Sequence, residues 1–331
     1  MGASAGIIGT VSKRDMESKT ENAARRAHGC IAVDKFGCQI LFLDPETGAV
    51  ETVLDGFSRT VHELLMLPET SRAYVPIFGD GMHGNNPNPG HQIVVVDVHA
   101  RSHVADIDVS PLAAPHTMRI GPDGLIYVTC EDAGVVAIID PHRNAVIGTI
   151  EAGSRNCHRL EISPDGTRIY TENEEDRSVS VIDLQARKLL GQVETPHALA
   201  GVAVSADSKT VVAVDDEVPG LFLIDAELGE VSEAVPLEGL VEPAQIARYS
   251  PDFSVLALTS MAGECALLLD ADFRNQTVVP TGRQPMDMAF RGHDLFVACQ
   301  GDGTIHVLDL ERRQASRRLV AGVGCESVGF L

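Results

Sequence analysis

The 331-residue chain contains no tryptophan, and aromatic residues make up only 4% of it. Its apolar residues are mainly small or branched aliphatic ones, which suit closely packed β-strands. Basic residues are also scarce, since 26 Lys and Arg stand against 47 Asp and Glu and give a formal net charge of −21. A charge of this sign repels nucleic acid and anionic membranes, so we expect neither as a partner.

Several sequence signals are missing as well. No apolar stretch approaches the length of a membrane-spanning helix, and the first residues lack the cationic and apolar regions of a signal peptide. The seven cysteines have no CxxC spacing and no pairing pattern. We therefore expect a reducing, cytoplasmic setting. A G-x-S-x-G motif, a phosphate-binding loop and a dinucleotide fingerprint are also missing, which disfavours a serine hydrolase or a nucleotide-dependent enzyme.

A repeated pattern of strand, turn, strand, loop and strand recurs along the chain, with a period of about 42 residues that is typical of a β-propeller. Each repeat ends in an aliphatic residue followed by aspartate, and the endings are Leu43-Asp44, Val96-Asp97, Ile139-Asp140, Ile182-Asp183, Ile224-Asp225, Leu269-Asp270 and Leu308-Asp309. The pattern predicts an all-β fold, a seven-bladed β-propeller with four-stranded blades.

The two ends of the repeat region complement each other. Residues 30–54 supply a second, third and fourth strand with no first strand before them, and residues 326–331 have the pattern of that first strand. We therefore predict one propeller domain over residues 29–331, closed by the C-terminal strand beside the N-terminal strands. Residues 1–28 form a separate N-terminal arm, interpreted either as a short helix or as a contact to another subunit of a homo-oligomer.

The strings GPDGLIYVTCEDAGVVAIIDP and SPDGTRIYTENEEDRSVSVIDL resemble the YVTN-type repeat of the lactonase-like seven-bladed propellers. The resemblance covers residues 29–331. It implies a seven-bladed propeller but no single function, because lactonases, lyases, isomerases and scaffolds all have this fold. Similar enzymes, including the streptogramin lyase-like ones, pair a metal with a His or Glu base. The chain lacks the Asn and Asp set of the lactonase calcium site, so calcium is not implied.

Histidines recur at one position of the repeat, five residues before the first turn. In blade order the residues there are His62, His116, His158, Ala200, Gln245, Met286 and Glu326. The loops entering the first strands of a propeller converge on one mouth of the central channel. The pattern therefore predicts one divalent transition-metal ion (Zn, Fe, Mn or Cu) bound by His62, His116, His158 and Glu326. Duplication of a structural histidine is the alternative explanation.

A second set of polar residues lies three positions earlier in the repeat, at Arg59, Arg155, His197 and Arg283. The arginines are candidates for binding a substrate carboxylate, and His197 and Glu131 are candidates for moving a proton. The loop Gly79–His91 is long and rich in Gly, Asn and Pro, which favours a cover over the mouth with His83 as a further substrate contact.

These residues together predict a metal-dependent hydrolase or lyase that acts on a small polar or carboxylate-bearing molecule at the mouth. A non-catalytic scaffold that binds a partner or ligand is the alternative. A non-haem iron oxygenase is a minor alternative, because the carotenoid oxygenases also place histidines around an axial iron in a propeller. Those chains are much longer and carry apolar insertions that this sequence lacks.

Overall fold

The structure, a computed structural model, describes residues 29–57, 60–81, 85–131 and 133–330. The N-terminal arm predicted for residues 1–28 lies outside the described residues, as do Arg59 and His83. The described chain is almost entirely β-structure, with two short 3-10 helices at Pro68–Thr70 and Glu174–Asp176. None of the helices in these ranges is long and apolar enough to cross a membrane.

The strands form seven antiparallel sheets, which confirms the predicted seven-bladed propeller. In chain order they are β1 Cys30–Asp34, β2 Gln39–Leu43, β3 Val50–Leu54, β4 Thr60–Val61, β5 Leu65–Leu67, β6 Arg72–Gly79, β7 Pro89–Asp97, β8 Ser102–Asp108, β9 Pro115–Ile120, β10 Ile126–Cys130, β11 Val135–Asp140, β12 Ala145–Glu151, β13 Leu160–Ile162, β14 Arg168–Glu172, β15 Ser178–Asp183, β16 Lys188–Glu194, β17 Leu199–Val204, β18 Thr210–Asp215, β19 Gly220–Asp225, β20 Glu230–Pro236, β21 Ala247–Tyr249, β22 Val255–Ser260, β23 Cys265–Asp270, β24 Gln276–Pro280, β25 Pro285–Arg291, β26 Asp294–Cys299, β27 Thr304–Asp309, β28 Gln314–Val320 and β29 Cys325–Phe330.

The strands are shared among the blades in a simple order. Blade 1 combines β29 with β1, β2 and β3, and blade 2 contains β4 to β8, with its first strand split into β4 and β5. Blades 3 to 7 take four consecutive strands each: β9–β12, β13–β16, β17–β20, β21–β24 and β25–β28.

The tight turns between first and second strands form where the sequence predicts them. In blade 3 the backbone N–H of Gly124 donates to the carbonyl of Gly121 at 3.0 Å. Gly124 has a φ of 75°, in the left-handed region that glycine adopts without strain. The equivalent residues of the next three blades share that conformation, with φ of 71° at Gly166, 59° at Ser208 and 59° at Phe253. The turn geometry is therefore repeated even where the glycine is not.

The core is divided into seven apolar clusters, each lying between two neighbouring blades. Between blades 1 and 2, for example, Ile31 and Phe42 pack against Val75 and Val94. Each blade uses both of its faces in this way. A single blade has no partner for either face, so the apolar surface is fully covered only in the ring.

Ring closure occurs as the sequence predicts, because β29 pairs antiparallel with β1. A buried carboxylate reinforces the junction. Asp34, at the end of β1, accepts hydrogen bonds from the backbone N–H of Val323 at 3.1 Å and of Gly324 at 2.7 Å, and from Gln39 Nε2 at 2.7 Å. A Cβ atom on Gly322 would lie 2.0 Å from Asp34 Oδ2, so only glycine fits beside the carboxylate.

Replacing Asp34 with alanine should lower the free energy of unfolding by about 3 kcal/mol or more, since buried donors lose their acceptor and each costs about 1–3 kcal/mol. Chemical denaturation measures the loss. Asp225→Ala is the matched control, because Asp225 accepts from the N–H groups of Glu227 and Leu228 at an exposed turn within one blade. Equal losses in the two variants would contradict a special role for Asp34 in closure.

Candidate functional site

A β-bulge near the start of the first strand sets the direction of the histidine in blades 3 and 4. In blade 4 the N–H of His158 donates to the carbonyl of Glu172, and the N–H of Glu172 donates to the carbonyl of Arg159, both at 3.0 Å. Two residues thus oppose one, which re-aims the side chain at the bulge. Register shifts mark the same irregularity in blades 3, 5, 7 and 1, at His116, Ala200, Met286 and Glu326.

The three predicted histidines meet at the mouth of the channel. The ring centroids of His62 and His116 are 4.6 Å apart, and those of His116 and His158 are 4.4 Å apart. Phe78 packs its ring against the first two, at 5.0 and 5.4 Å. The side chains are buried, with 5%, 2% and 9% of His62, His116 and His158 exposed. The structure brings these residues together, while their binding of a metal stays a prediction.

His158 is held by carboxylates on one side of its ring. Its Nδ1 lies 2.6 Å from Glu172 Oε1 and 3.0 Å from Glu174 Oε1. Its Nε2 faces Glu131 Oε1 at 3.9 Å. A carboxylate at Nδ1 favours the tautomer with a proton there and a lone pair on Nε2, the arrangement found in metal-binding histidines.

His116, Glu131 and His158 form a set of three potential metal ligands, whose ligand atoms all lie within 4.8 Å of one another. His116 Nδ1 is 3.9 Å from Glu131 Oε1. A tetrahedral first-row ion with bonds of about 2.0–2.2 Å places its ligands about 3.3–3.6 Å apart, so small side-chain rotations would close this set around an ion. Glu131, predicted as a proton carrier, therefore lies among potential ligands.

His62 belongs to a second network that includes Glu326. Glu326 Oε1 lies 3.3 Å from His62 Nδ1 and 3.5 Å from Lys35 Nζ, and Gln300 Nε2 donates to Glu326 Oε2. Lys35 Nζ is also 3.2 Å from His62 Nε2. Burial and the charge of Lys35 hold the pKa of His62 well below its usual value, so His62 is neutral at neutral pH. Burial raises the pKa of Glu326, and the ammonium of Lys35 opposes that shift.

Ion pairs between blades line the channel beneath the histidines. Glu63 is buried and bonded to Arg159 at 2.5 Å. Burial disfavours its charge most strongly, but the nearby positive charges, of which Arg159 is the first, and a hydrogen bond from Thr117 together outweigh it, and the pKa of Glu63 falls to about 2. Glu63 Oε1 also lies 3.7 Å from His116 Nδ1, and His62, Glu63 and His116 form another set of potential ligands. Deeper pairs, at 2.9 Å each, are Arg119–Glu161 and Arg248–Asp287.

The other predicted site residues lie apart from this cluster or outside the described residues. His197 Nδ1 bonds to Asp215 Oδ2 at 2.7 Å, and 36% of its side chain is exposed. Arg155 and Arg283 are exposed on the loops that precede the first strands of blades 4 and 7. The substrate-binding roles of Arg155, Arg283, Arg59 and His83, and the catalytic role of His197, stay predictions.

The long loop is described only at its two ends. Asn86 Nδ2 donates to the carbonyl of Phe78 at 2.9 Å, and Asn88 Nδ2 donates to Asp80 Oδ2 at 2.8 Å. These bonds tie the loop to the strand whose Phe78 packs on the histidines. Residues 82–84 lie outside the described ranges, so the cover over the mouth stays a prediction.

Lys35 is a site residue that the sequence reasoning missed, although its position follows the repeat. In four blades, the residue directly after the second strand donates its backbone N–H to a carbonyl of the first strand's entry loop. The acceptor is the residue two positions before the bulge. The donors are Lys35, Glu131, Asp216 and Gln300, at 2.9, 3.2, 3.0 and 2.9 Å. Lys35 is thus the blade 1 counterpart of Glu131, and an alignment of these loops that included blade 1 would have found it.

Comparisons with known proteins agree with the fold and are less specific about function. Residues 120–255 match the family described as "Cytochrome D1 heme domain", which is less than half of the chain. No curated protein matches the sequence. Among solved structures, hydrazine synthase of Kuenenia stuttgartiensis is similar, with a TM-score of 0.66 and 20% identity over 81% of this chain and 88% of that chain. At this identity the likeness supports the fold alone, and the YVTN-type family assignment stays a prediction.

The hydrogen bond between His197 and Asp215 raises the pKa of the imidazole. Asp215→Asn should return that pKa toward about 6.5, the ordinary value. The stabilisation from this pair is complete at pH values below the pKa of His197 in the unfolded chain. It is lost as the pH rises through the higher pKa of His197 in the folded protein. The gap in melting temperature between wild type and variant should therefore shrink from pH 6 to pH 9. NMR titration of the His197 ring measures the pKa, and an unchanged value would contradict the coupling.

Proposed function

We propose that the mouth of the channel binds one divalent transition-metal ion, and that the protein is a metal-dependent hydrolase or lyase for a small polar or carboxylate-bearing molecule. The observation that carries the proposal is the set His116, Glu131 and His158, with all ligand atoms within 4.8 Å of one another. Two imidazoles and one carboxylate suit Zn, Fe, Mn or Cu, and they leave coordination positions open for catalysis.

The charge around this set also favours a cation. Glu172 and Glu174 contact His158 Nδ1, and Glu63 Oε1 lies 3.7 Å from His116 Nδ1. Arg159 balances the charge of Glu63, so the negative charge beside the two imidazoles comes from Glu131, Glu172 and Glu174. Because a buried site screens charge less than water does, the negative set would stabilise a divalent ion strongly.

The remaining roles are proposed from the chemistry of the side chains and, for Glu172, from its contact with His158. An ion bound between His116 and His158 would supply Lewis acidity to an oxygen of the substrate. Glu172 orients the His158 ring so that Nε2 faces the site. His197 is the proposed proton donor, because Asp215 favours its protonated form. The exposed Arg155 and Arg283 would attract an anionic substrate toward an otherwise acidic protein.

Haem binding is a second candidate, favoured by the match of residues 120–255 to the cytochrome D1 heme domain. The histidine cluster fits a haem poorly, because ring centroids 4.4–4.6 Å apart leave no room for a macrocycle between the imidazoles. His197 fits better, since Asp215 engages Nδ1, the side chain is partly exposed, and Nε2 would bind the iron of a haem. Haem bound there would supply redox chemistry.

The two candidates differ in their metal content and spectra. For a bare-ion site, we expect purified protein, prepared without chelators, to contain about one ion per chain by elemental analysis, without a Soret band. His116→Ala and His158→Ala should each abolish stoichiometric binding. Glu172→Gln should weaken Zn²⁺ binding about 10- to 100-fold, because it removes the charged acceptor that orients His158. The exposed His142 provides the control, and His142→Ala should change nothing.

Other results would decide against the bare ion. Protein that takes up no Zn, Fe, Mn or Cu, and no haem, would favour the scaffold alternative. For the haem candidate, titration with haemin should give a Soret band in the wild type that His197→Ala weakens and His116→Ala leaves intact. Haemin that produces no band in the wild type would exclude haem binding at His197.

A further inference from the structure

The mouth contains a partly buried cation whose position repeats that of a candidate ligand. Lys35 donates its backbone N–H to the carbonyl of Gly324, as Glu131 does to the carbonyl of Ala114. Gly324 and Ala114 each stand two residues before the bulge residue of their blade, Glu326 and His116. Blades 1 and 3 therefore present side chains at equivalent places. Blade 3 presents a carboxylate there, and blade 1 presents an ammonium group.

The ammonium of Lys35 lies among groups that would otherwise suit a metal ion. Its Nζ is 3.2 Å from His62 Nε2 and 3.5 Å from Glu326 Oε1, and 14% of the lysine side chain is exposed. His62 and Glu326 are nearly completely buried, and His62 Nδ1 is 3.3 Å from Glu326 Oε1. One imidazole and one carboxylate thus face a single positive charge, as they would face a metal ion.

We propose that Lys35 is a built-in cation that occupies a second cation site in the mouth, made by His62 and Glu326, and so confines the transition metal to His116, Glu131 and His158. The inference deepens the proposed function and assigns metal positioning to Lys35. A lysine ammonium engages the imidazole lone pair and the carboxylate that a metal would need. Its charge also repels a second ion at short range in a buried site.

The proposal explains why the arc of four predicted ligands is divided. Glu326 and His62 bond with Lys35 and Gln300, whereas His116 and His158 face Glu131. Without the ammonium, the same arc would offer ligands on both sides of His116. His62, Glu63 and His116 already form a set with ligand atoms within 4.8 Å of one another.

The test compares metal binding by the wild type and by Lys35→Met. Calorimetry with Zn²⁺ and the absorption spectrum of bound Co²⁺ measure the stoichiometry and the affinity. The wild type should bind one ion. The variant should either bind a second ion or bind the first at least about tenfold more tightly, a change of the size seen when residues that support a metal site are replaced. Lys35→Arg keeps the charge and should bind one ion. Lys35→Met combined with Glu326→Gln should lose the second ion, because a carboxylate ligand is removed.

Lys188 provides a matched control, since it is exposed on β16, and Lys188→Met should bind as wild type does. Circular dichroism and thermal unfolding check that each variant is folded, and Lys35→Gln is a second neutral variant if Lys35→Met does not fold. Unchanged stoichiometry and affinity in the neutral variants would overturn the inference, as would two ions in the wild type. A wild type without metal beside a neutral variant that binds one ion would refute the proposed function and the confinement of its metal, and it would support only the occupation of a cation site by Lys35.

Discussion

The pairing of β29 with β1 is the contact on which both the ring and the mouth depend. It places residues from opposite ends of the propeller sequence in one blade, and Asp34 anchors the junction with hydrogen bonds to Val323 and Gly324. The same junction carries Glu326 and Lys35 to the side of His62. The contacts of Glu326 with Lys35 and His62 therefore exist only when the ring is closed. The stability of the fold and the chemistry of the site are linked through one strand pair.

The sequence predicted the architecture well because the repeat encodes it redundantly. Turn residues, aliphatic strands and the recurring aspartate each mark the same period, and the spare C-terminal strand matches the missing first strand. The sequence also predicted that His62, His116 and His158 meet, because residues at the same repeat position of adjacent blades lie at the same depth around the channel. These inferences need only the period, and they do not depend on the exact direction of any side chain.

The partners of those histidines could not be predicted in the same way. Glu172 ends a strand and looks like one residue of an acidic loop, yet the bulge at His158, opposite Glu172, brings its carboxylate to His158 Nδ1 at 2.6 Å. Glu63 and Arg159 belong to different blades and meet across the channel. Such contacts depend on the diameter of the ring and on the bulges. A repeat alignment records the position of a residue within its blade, and not its distance from another blade.

The arrangement of the core has a consequence for how the molecule loses structure. Each apolar cluster is shared by two blades, so the stability of every blade includes a coupling to both of its neighbours. An open array of repeats has terminal units with one neighbour, and these fray first. A closed ring has no terminal unit. Hydrogen exchange from the blade strands should therefore require opening events of similar free energy around the whole circle.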